Sequence, residues 1–188
     1  MVPTRTLPGL CRSIISPIPR INVVPSSEAA NAFSGRWIDA ARHWTDIAAD
    51  IDRLLIGPGD PSSKRTQWMI ADWEGFGSWT PDGNESLEMI AAIALGIMEC
   101  GPAFSHWVSH ASLASGNLID RFYDDFLGEW ADVEEFASQV IADATDNLAF
   151  IPDWLAPYIQ IDLVELAQYL TDDLLVVEDD ATVFVYSR

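Results

Sequence analysis

The pattern of apolar and polar positions divides the chain into short alternating stretches and longer ones with a period of three to four. Residues 1–18 are broken by prolines and predict an irregular leader, without the continuous apolar segment of a secretory signal. Arg20-Ile-Asn-Val-Val24 predicts a strand stopped by Pro25, and Gly35-Arg-Trp-Ile-Asp39 a second. Thr45 is placed to cap a helix running to about Leu55, with Ile47, Ile51, Leu54 and Leu55 on one face. A turn-rich loop, GPGDPSSKR (57–65), leads to a third strand over Gln67–Ala71. Residues 72–83, with three glycines and Pro81, predict a loop.

The period then becomes helical. Asn84 is placed to cap a helix from Glu85 to Gly101, whose Leu87, Ile90, Ile93, Ala94 and Ile97 make it central. Pro102 opens another helix to about His110. Leu118, Phe122 and Phe126 at i, i+4, i+8 predict a third over Leu118–Leu127. Asp132 with Glu135 three residues later resembles a capping box. The helix behind it sets Val133, Phe136, Ala137, Val140, Ile141 and Ala144 on one face and Glu134, Glu135, Asp143 and Asp146 on the other. After Pro152, Asp162 with Glu165 repeats the cap pattern for a helix to about Leu170. Leu174–Glu178 and Thr182–Tyr186 flank Asp179-Asp180-Ala181, a terminal hairpin. The expected class is α+β. Behind the leader (1–18) come a sheet-plus-helix domain (19–71), a helical middle (72–127) and a C-terminal α+β domain (128–188), without internal repeats.

Composition sharpens this picture. Apolar residues make up 49% of 188, with eight tryptophans, so the chain can build cores despite a net charge of −19. The sign of the charge is segregated. Residues 1–65 carry eight basic and six acidic side chains, whereas residues 66–187 carry 23 acidic and one basic, Arg121. The stretch YDDFLGEWADVEEFA (123–137) alone holds six carboxylates and no lysine, arginine or histidine. Like charges repel and destabilise a fold, so this one-sided surface asks for a functional reason. There is no run of 18 apolar residues, which speaks against a membrane span. Cys11 and Cys100 lie far apart, which implies a reducing cytoplasm and no disulfide framework.

Enzymatic and metal chemistry find little support. His106 and His110 share a helix face, but no H-E-x-x-H motif and no third ligand accompany them, so they read as helix surface and no metal site is expected. Asp72 with Glu74, or Glu129 with Glu135, are conceivable hydrolytic pairs, yet 29 acids produce such pairs by chance. No P-loop, G-x-G-x-x-G or G-x-S-x-G is present, and no cofactor is expected. Nucleic-acid binding needs lysines and arginines that residues 66–187 lack. The inverse is open. Duplex DNA carries about one charge per 1.7 Å, so the 22 net charges of that segment match roughly 37 Å of duplex. Charge alone fits a DNA mimic and a merely soluble acidic protein equally well.

Six stretches, in order, resemble the ArdA antirestriction family: ADWEGFG (71–77), ESLEMIA (85–91), FYDDFLGEWADVEEFA (122–137), IPDWLAPYI (151–159), DLVELAQYL (162–170) and VFVYS (183–187). GRWIDA (35–40) is similar to the family's N-terminal Gly-x-Trp-Ile-Asp signature. The resemblance implies a non-enzymatic mimic of B-form DNA that blocks type I restriction–modification enzymes at the methyltransferase core. It also implies an elongated, three-domain, dimeric chain. The acidic surface is then expected from Asp72, Glu74, Glu85, Glu88, Asp120, Asp124, Asp125, Glu129, Asp132, Glu134, Glu135, Asp143 and Asp146. The stretch from Gly128 to Ala137 corresponds to the family's antirestriction motif. Its Gly128, Trp130, Val133, Phe136 and Ala137 are expected to serve packing or a dimer contact. The alternatives are an acidic binder of another basic partner, such as a nucleoid protein, and a hydrolase.

Overall fold

A computed structural model describes residues 17–26, 35–56, 67–83, 85–113, 117–147 and 160–188. The expected leader, the loop 57–65, Asn84 and the IPDWLAPYI stretch lie outside these residues, apart from the last two of the leader. The chain divides into two compact units, Met1–Phe122 and Tyr123–Arg188.

In the first unit, β1 (Arg20–Pro25) is the centre of a three-stranded sheet, between β2 (Arg36–Asp39) and β3 (Trp68–Glu74), with both pairings antiparallel. The third strand is longer than its sequence suggests. It continues through Asp72, Trp73 and Glu74, which were expected in a loop, because Arg20 lies opposite Glu74 and their side chains pair at 3.1 Å. Opposite charges directly across strands stabilise the pairing modestly. Helix α1 (Trp44–Ile56) buries Ile47 and Ile51 and packs beside β2. Its cap is His43 rather than Thr45: the His43 carbonyl accepts from the amides of Asp46 and Ile47. Leu54, expected on the buried face, is 46% exposed.

Helix α2 (Leu87–His110) is capped by Ser86, whose hydroxyl accepts from the Met89 amide at 3.1 Å. The helix therefore begins after Glu85, not at it. Two helical halves meet at Gly101, where φ is 64° and ψ −146°, a conformation that favours glycine. Pro102 begins the second half, where its missing N–H is no loss. This change of direction lets the Phe104 ring lie against Gly96. Phe104 and Trp107 then pack with Phe122 of α3 (Leu118–Asp125), ring centroids 5.3–5.8 Å apart. By length and a mean hydropathy of 1.6, α2 equals a membrane span, but 56% of that window is buried inside the chain, as in a core helix.

The division between the units falls within α3. In the second unit, β4 (Phe126–Trp130), β6 (Thr182–Tyr186) and β5 (Leu175–Asp179) form an antiparallel sheet in the order β4-β6-β5. Strand β4 corrects the expectation of a helix reaching Leu127: Phe126 pairs with Tyr186 and Trp130 with Val183. The hairpin of β5 and β6 forms as expected, and Asp180 in its turn has φ 50°. Helices α4 (Val133–Asn147) and α5 (Leu163–Asp173) pack on each other. Phe136, Val183 and Val185 form the core, flanked by Trp130, Val133, Val140, Leu170, Leu174 and Val176. Full burial of each such side chain contributes about 1.5–3 kcal/mol. Ala144, expected on the inner face of α4, is exposed.

Candidate acidic interface

The stretch 126–137 shows how a fold displays acid without burying it. Along β4, Phe126 and Gly128 are buried while Leu127 and Glu129 are exposed, the two-residue alternation of a strand. Gly128 has φ 149°, and a Cβ placed there would lie 2.7 Å from Cη2 of Trp130. The glycine lets the indole fold back over its own strand. That indole packs on Phe136 of α4, with centroids 4.5 Å apart. Phe136 and Ala137 are buried, and Trp130 and Val133 half-buried. The five apolar motif residues thus stand in or beside the core of one chain.

Between them, the acids are either caps or bare. Asp132 accepts from the Glu135 amide at 2.7 Å, and the Glu135 carboxylate reaches back to the Ala131 amide at 2.8 Å. This is the expected capping box, with the return bond landing one residue earlier than in the standard form. Both carboxylates also oppose the positive end of α4. Glu129 and Glu134 are exposed and have no cationic partner among the described residues. Asp143 is exposed and accepts from Gln139 at 2.7 Å. Asp124 is exposed and Asp125 half-buried, its carbonyl accepting from the Ser187 amide at 2.8 Å. Asp146 lies in α4.

The first unit holds the rest of the expected surface. Asp72 and Glu74 are exposed on β3: Asp72 accepts from the Trp73 amide at 2.8 Å, and Glu74 pairs with Arg20. Glu85 is half-buried and accepts from the amides of Asp82 and Gly83. Glu88 is exposed in the first turn of α2, and Asp120 is exposed and accepts from Asn117. His106, expected on a helix surface, is buried, and its Nδ1 lies 2.9 Å from Ser78 Oγ. Among the described residues, no group of three His, Cys, Asp or Glu side chains is placed to hold a metal.

The division into units locates the charge. Residues 123–188 contain 16 acids and one basic residue, Arg188, a net −15; residues 1–122 contain 13 acids and nine basic residues, a net −4. Sequence reasoning passed over part of that array. Asp162 and Glu165 open α5, Asp172 and Asp173 close it, and Glu178, Asp179 and Asp180 ring the hairpin turn, all exposed. They belong to the same one-signed run, which was the signal that could have found them.

Strand, helix and hairpin together make an α+β protein whose charged side chains in the second unit are carboxylates with the exception of Arg188. Residues 31–182 match the family model described as Antirestriction protein (ArdA). That span is most of the chain, and the protein belongs to the ArdA antirestriction family, whose function is directed against restriction enzymes. Neither a curated protein nor a solved structure matches it.

Proposed function

We propose that the protein is a non-enzymatic mimic of B-form DNA, acting in the cytoplasm as a homodimer. Its exposed carboxylates take the place of phosphates in the DNA-binding cleft of type I restriction–modification enzymes, at the methyltransferase core. The observation that carries this reading is the net −15 on residues 123–188, whose carboxylates from Glu129 to Asp143 and from Asp162 to Asp180 are exposed. At about one charge per 1.7 Å of duplex, 15 charges answer to roughly 26 Å of DNA. A cleft lined with lysines and arginines releases its bound anions to such a surface as it does to DNA. Long-range attraction makes the encounter fast and sensitive to salt.

The test is competition. Purified protein is titrated against a type I methyltransferase core bound to labelled DNA, in low and in high salt. Stoichiometric displacement that weakens as salt rises supports the mimic. Neutralising single carboxylates should lower affinity in small steps. If the array behaves as phosphate does, each charge removed from it should reduce the slope of log affinity against log salt by about 0.9. No displacement at low salt would reject the type I target and favour a different basic partner. Complete loss from one Asp→Asn change in a folded protein would reject a distributed surface.

A further inference from the structure

A pocket of about 430 Å³ lies within the first unit, between β2 and α1, lined among others by Arg20, Trp37, Arg42, Asp50, Arg53 and Leu54. Its size falls in the range of small-molecule sites, about 300–1,000 Å³. Three guanidinium groups and the carboxylates of Asp39 and Asp50 line it, and Glu74 pairs with Arg20 from outside the lining, so arginines and carboxylates stand three to three.

The three arginines are not equivalent. Arg20 is neutralised within the sheet: its Nη1 donates to Glu74 at 3.1 Å and its Nε lies 3.3 Å from Asp39, with the guanidinium against the Trp37 ring, 5.7 Å from its centroid. Arg42 and Arg53 instead share one carboxylate. Asp50 holds Arg42 by one oxygen at 2.8 Å and Arg53 by the other at 2.7 Å. Around Asp50 alone two positive charges meet one negative, a local excess that the Arg20, Asp39 and Glu74 group offsets. The bond from Arg42 keeps the Asp50 carboxyl below the usual carboxylate range. Arg42 is fixed further by its Nε bond to the Asp39 carbonyl at 3.1 Å. The Arg53 side chain is 75% exposed, and a guanidinium has five N–H donors, most of them open here among the described residues. Beside this pair stand two apolar surfaces: Trp37, 37% exposed, and Leu54, 46% exposed. A fixed guanidinium, Arg42, and an exposed one, Arg53, next to an aromatic wall are the elements of a site for a ring that carries an anionic head.

We propose that this pocket binds a small, flat organic anion, with its head on Arg42 and Arg53 and its ring against Trp37 and Leu54. The chemistry is shared by a nucleoside monophosphate and an aromatic carboxylate, and the two are the arms of the test. Indole N–H resonances of the ¹⁵N-labelled full chain are followed during titration with adenosine monophosphate, benzoate or inorganic phosphate. The Trp37 signal is assigned by its loss in Trp37→Phe. A saturable shift of that signal is expected with one of the two ring compounds, and the tighter one names the source. Arg53→Gln, which alters an exposed side chain, should weaken binding about tenfold or more. Arg36→Gln, an exposed arginine outside the pocket, should leave it unchanged. Three results would overturn the proposal: no saturable shift with either ring compound at millimolar concentration, equal affinity in folded Arg53→Gln, or an equal response to inorganic phosphate. None of these readouts involves a restriction enzyme, so the result is independent of the mimic reading.

Discussion

Replacing Gly128 with alanine separates the scaffold of the antirestriction motif from its charge. The substitution leaves every carboxylate in place. It puts a Cβ 2.7 Å from Cη2 of Trp130 and 3.1 and 3.2 Å from Cζ2 and Cζ3, on a backbone with φ 149°. The indole has little room to yield, because its other side meets Phe136, which packs with Val183 and Val185. Two costs add. Holding a residue with a side chain at such a φ costs about 1–3 kcal/mol. Overpacking against a ring seated beside the core costs about 1–3 kcal/mol more. The sum, roughly 2–6 kcal/mol, is a large fraction of the 5–15 kcal/mol that holds an ordinary domain folded.

Urea unfolding followed by circular dichroism should show a lower midpoint with an unchanged slope. Loss of inhibition should follow the loss of folded protein. The neighbouring Glu129→Gln makes the contrast: that side chain is exposed, so stability should stay within about 0.5 kcal/mol of the wild type while the affinity for a basic cleft falls. A Gly128→Ala protein as stable as the wild type, within about 0.5 kcal/mol, would refute the reasoning and return Gly128 and Trp130 to a role outside the fold.

Gly101→Ala should destabilise the chain by about 1–3 kcal/mol in thermal or urea unfolding, although nothing lies within 4 Å of the added Cβ, because the cost is in the backbone. Asp132→Ala removes the cap of α4 and should cost about 1 kcal/mol, most of it restored in Asp132→Asn, as read from unfolding midpoints. The Asp50 carboxyl is held below its usual range by its bond from Arg42, so its contribution to stability is present above that range and lost as pH falls through the lowered value. The gap between wild type and Asp50→Asn in thermal unfolding should therefore close on acidification; a gap that widens would contradict the assignment.

Where a signal was local, the sequence carried it. The hairpin over residues 175–186, the cap at Asp162 and the Asp132–Glu135 pair were readable because both partners lie within a few residues of each other. Strand β4 was missed because Leu118, Phe122 and Phe126 fit a helical period, while Phe126, Gly128 and Trp130 equally fit the alternation of a strand. Only pairing with β6, more than 50 residues away, decides between the two. The end of β3 was hidden for the same reason, since its Glu74 is held by Arg20 from across the sheet. The candidate surface was legible as composition, and Val133, Phe136 and Ala137 were readable as part of a helical stripe, whereas Gly128 and Trp130 were marked only by the family resemblance. That they close on the core of their own unit follows from the fold of Trp130 over Gly128, which no spacing rule announces.

The array proposed to serve recognition also works against folding, and salt distinguishes the two. Sixteen carboxylates and one arginine share residues 123–188. Two like charges 10 Å apart in water repel by about 0.4 kcal/mol before screening. A few tens of such pairs sum to several kcal/mol, which is comparable with the net stability of a domain. The caps at Asp132, Glu135 and Asp162 relieve part of this by placing acids at helix N-termini. The rest is left to counterions. At about 0.15 M salt the screening length is about 8 Å, so most of the repulsion between distant acids is gone. The same ions compete for a basic cleft. Raising salt from low to physiological levels should therefore raise the melting temperature and, over the same series, weaken displacement of DNA from the target. A melting temperature that fell with salt would mean that the carboxylates are matched by partners within the protein, and a surface so matched would not be read as a phosphate backbone.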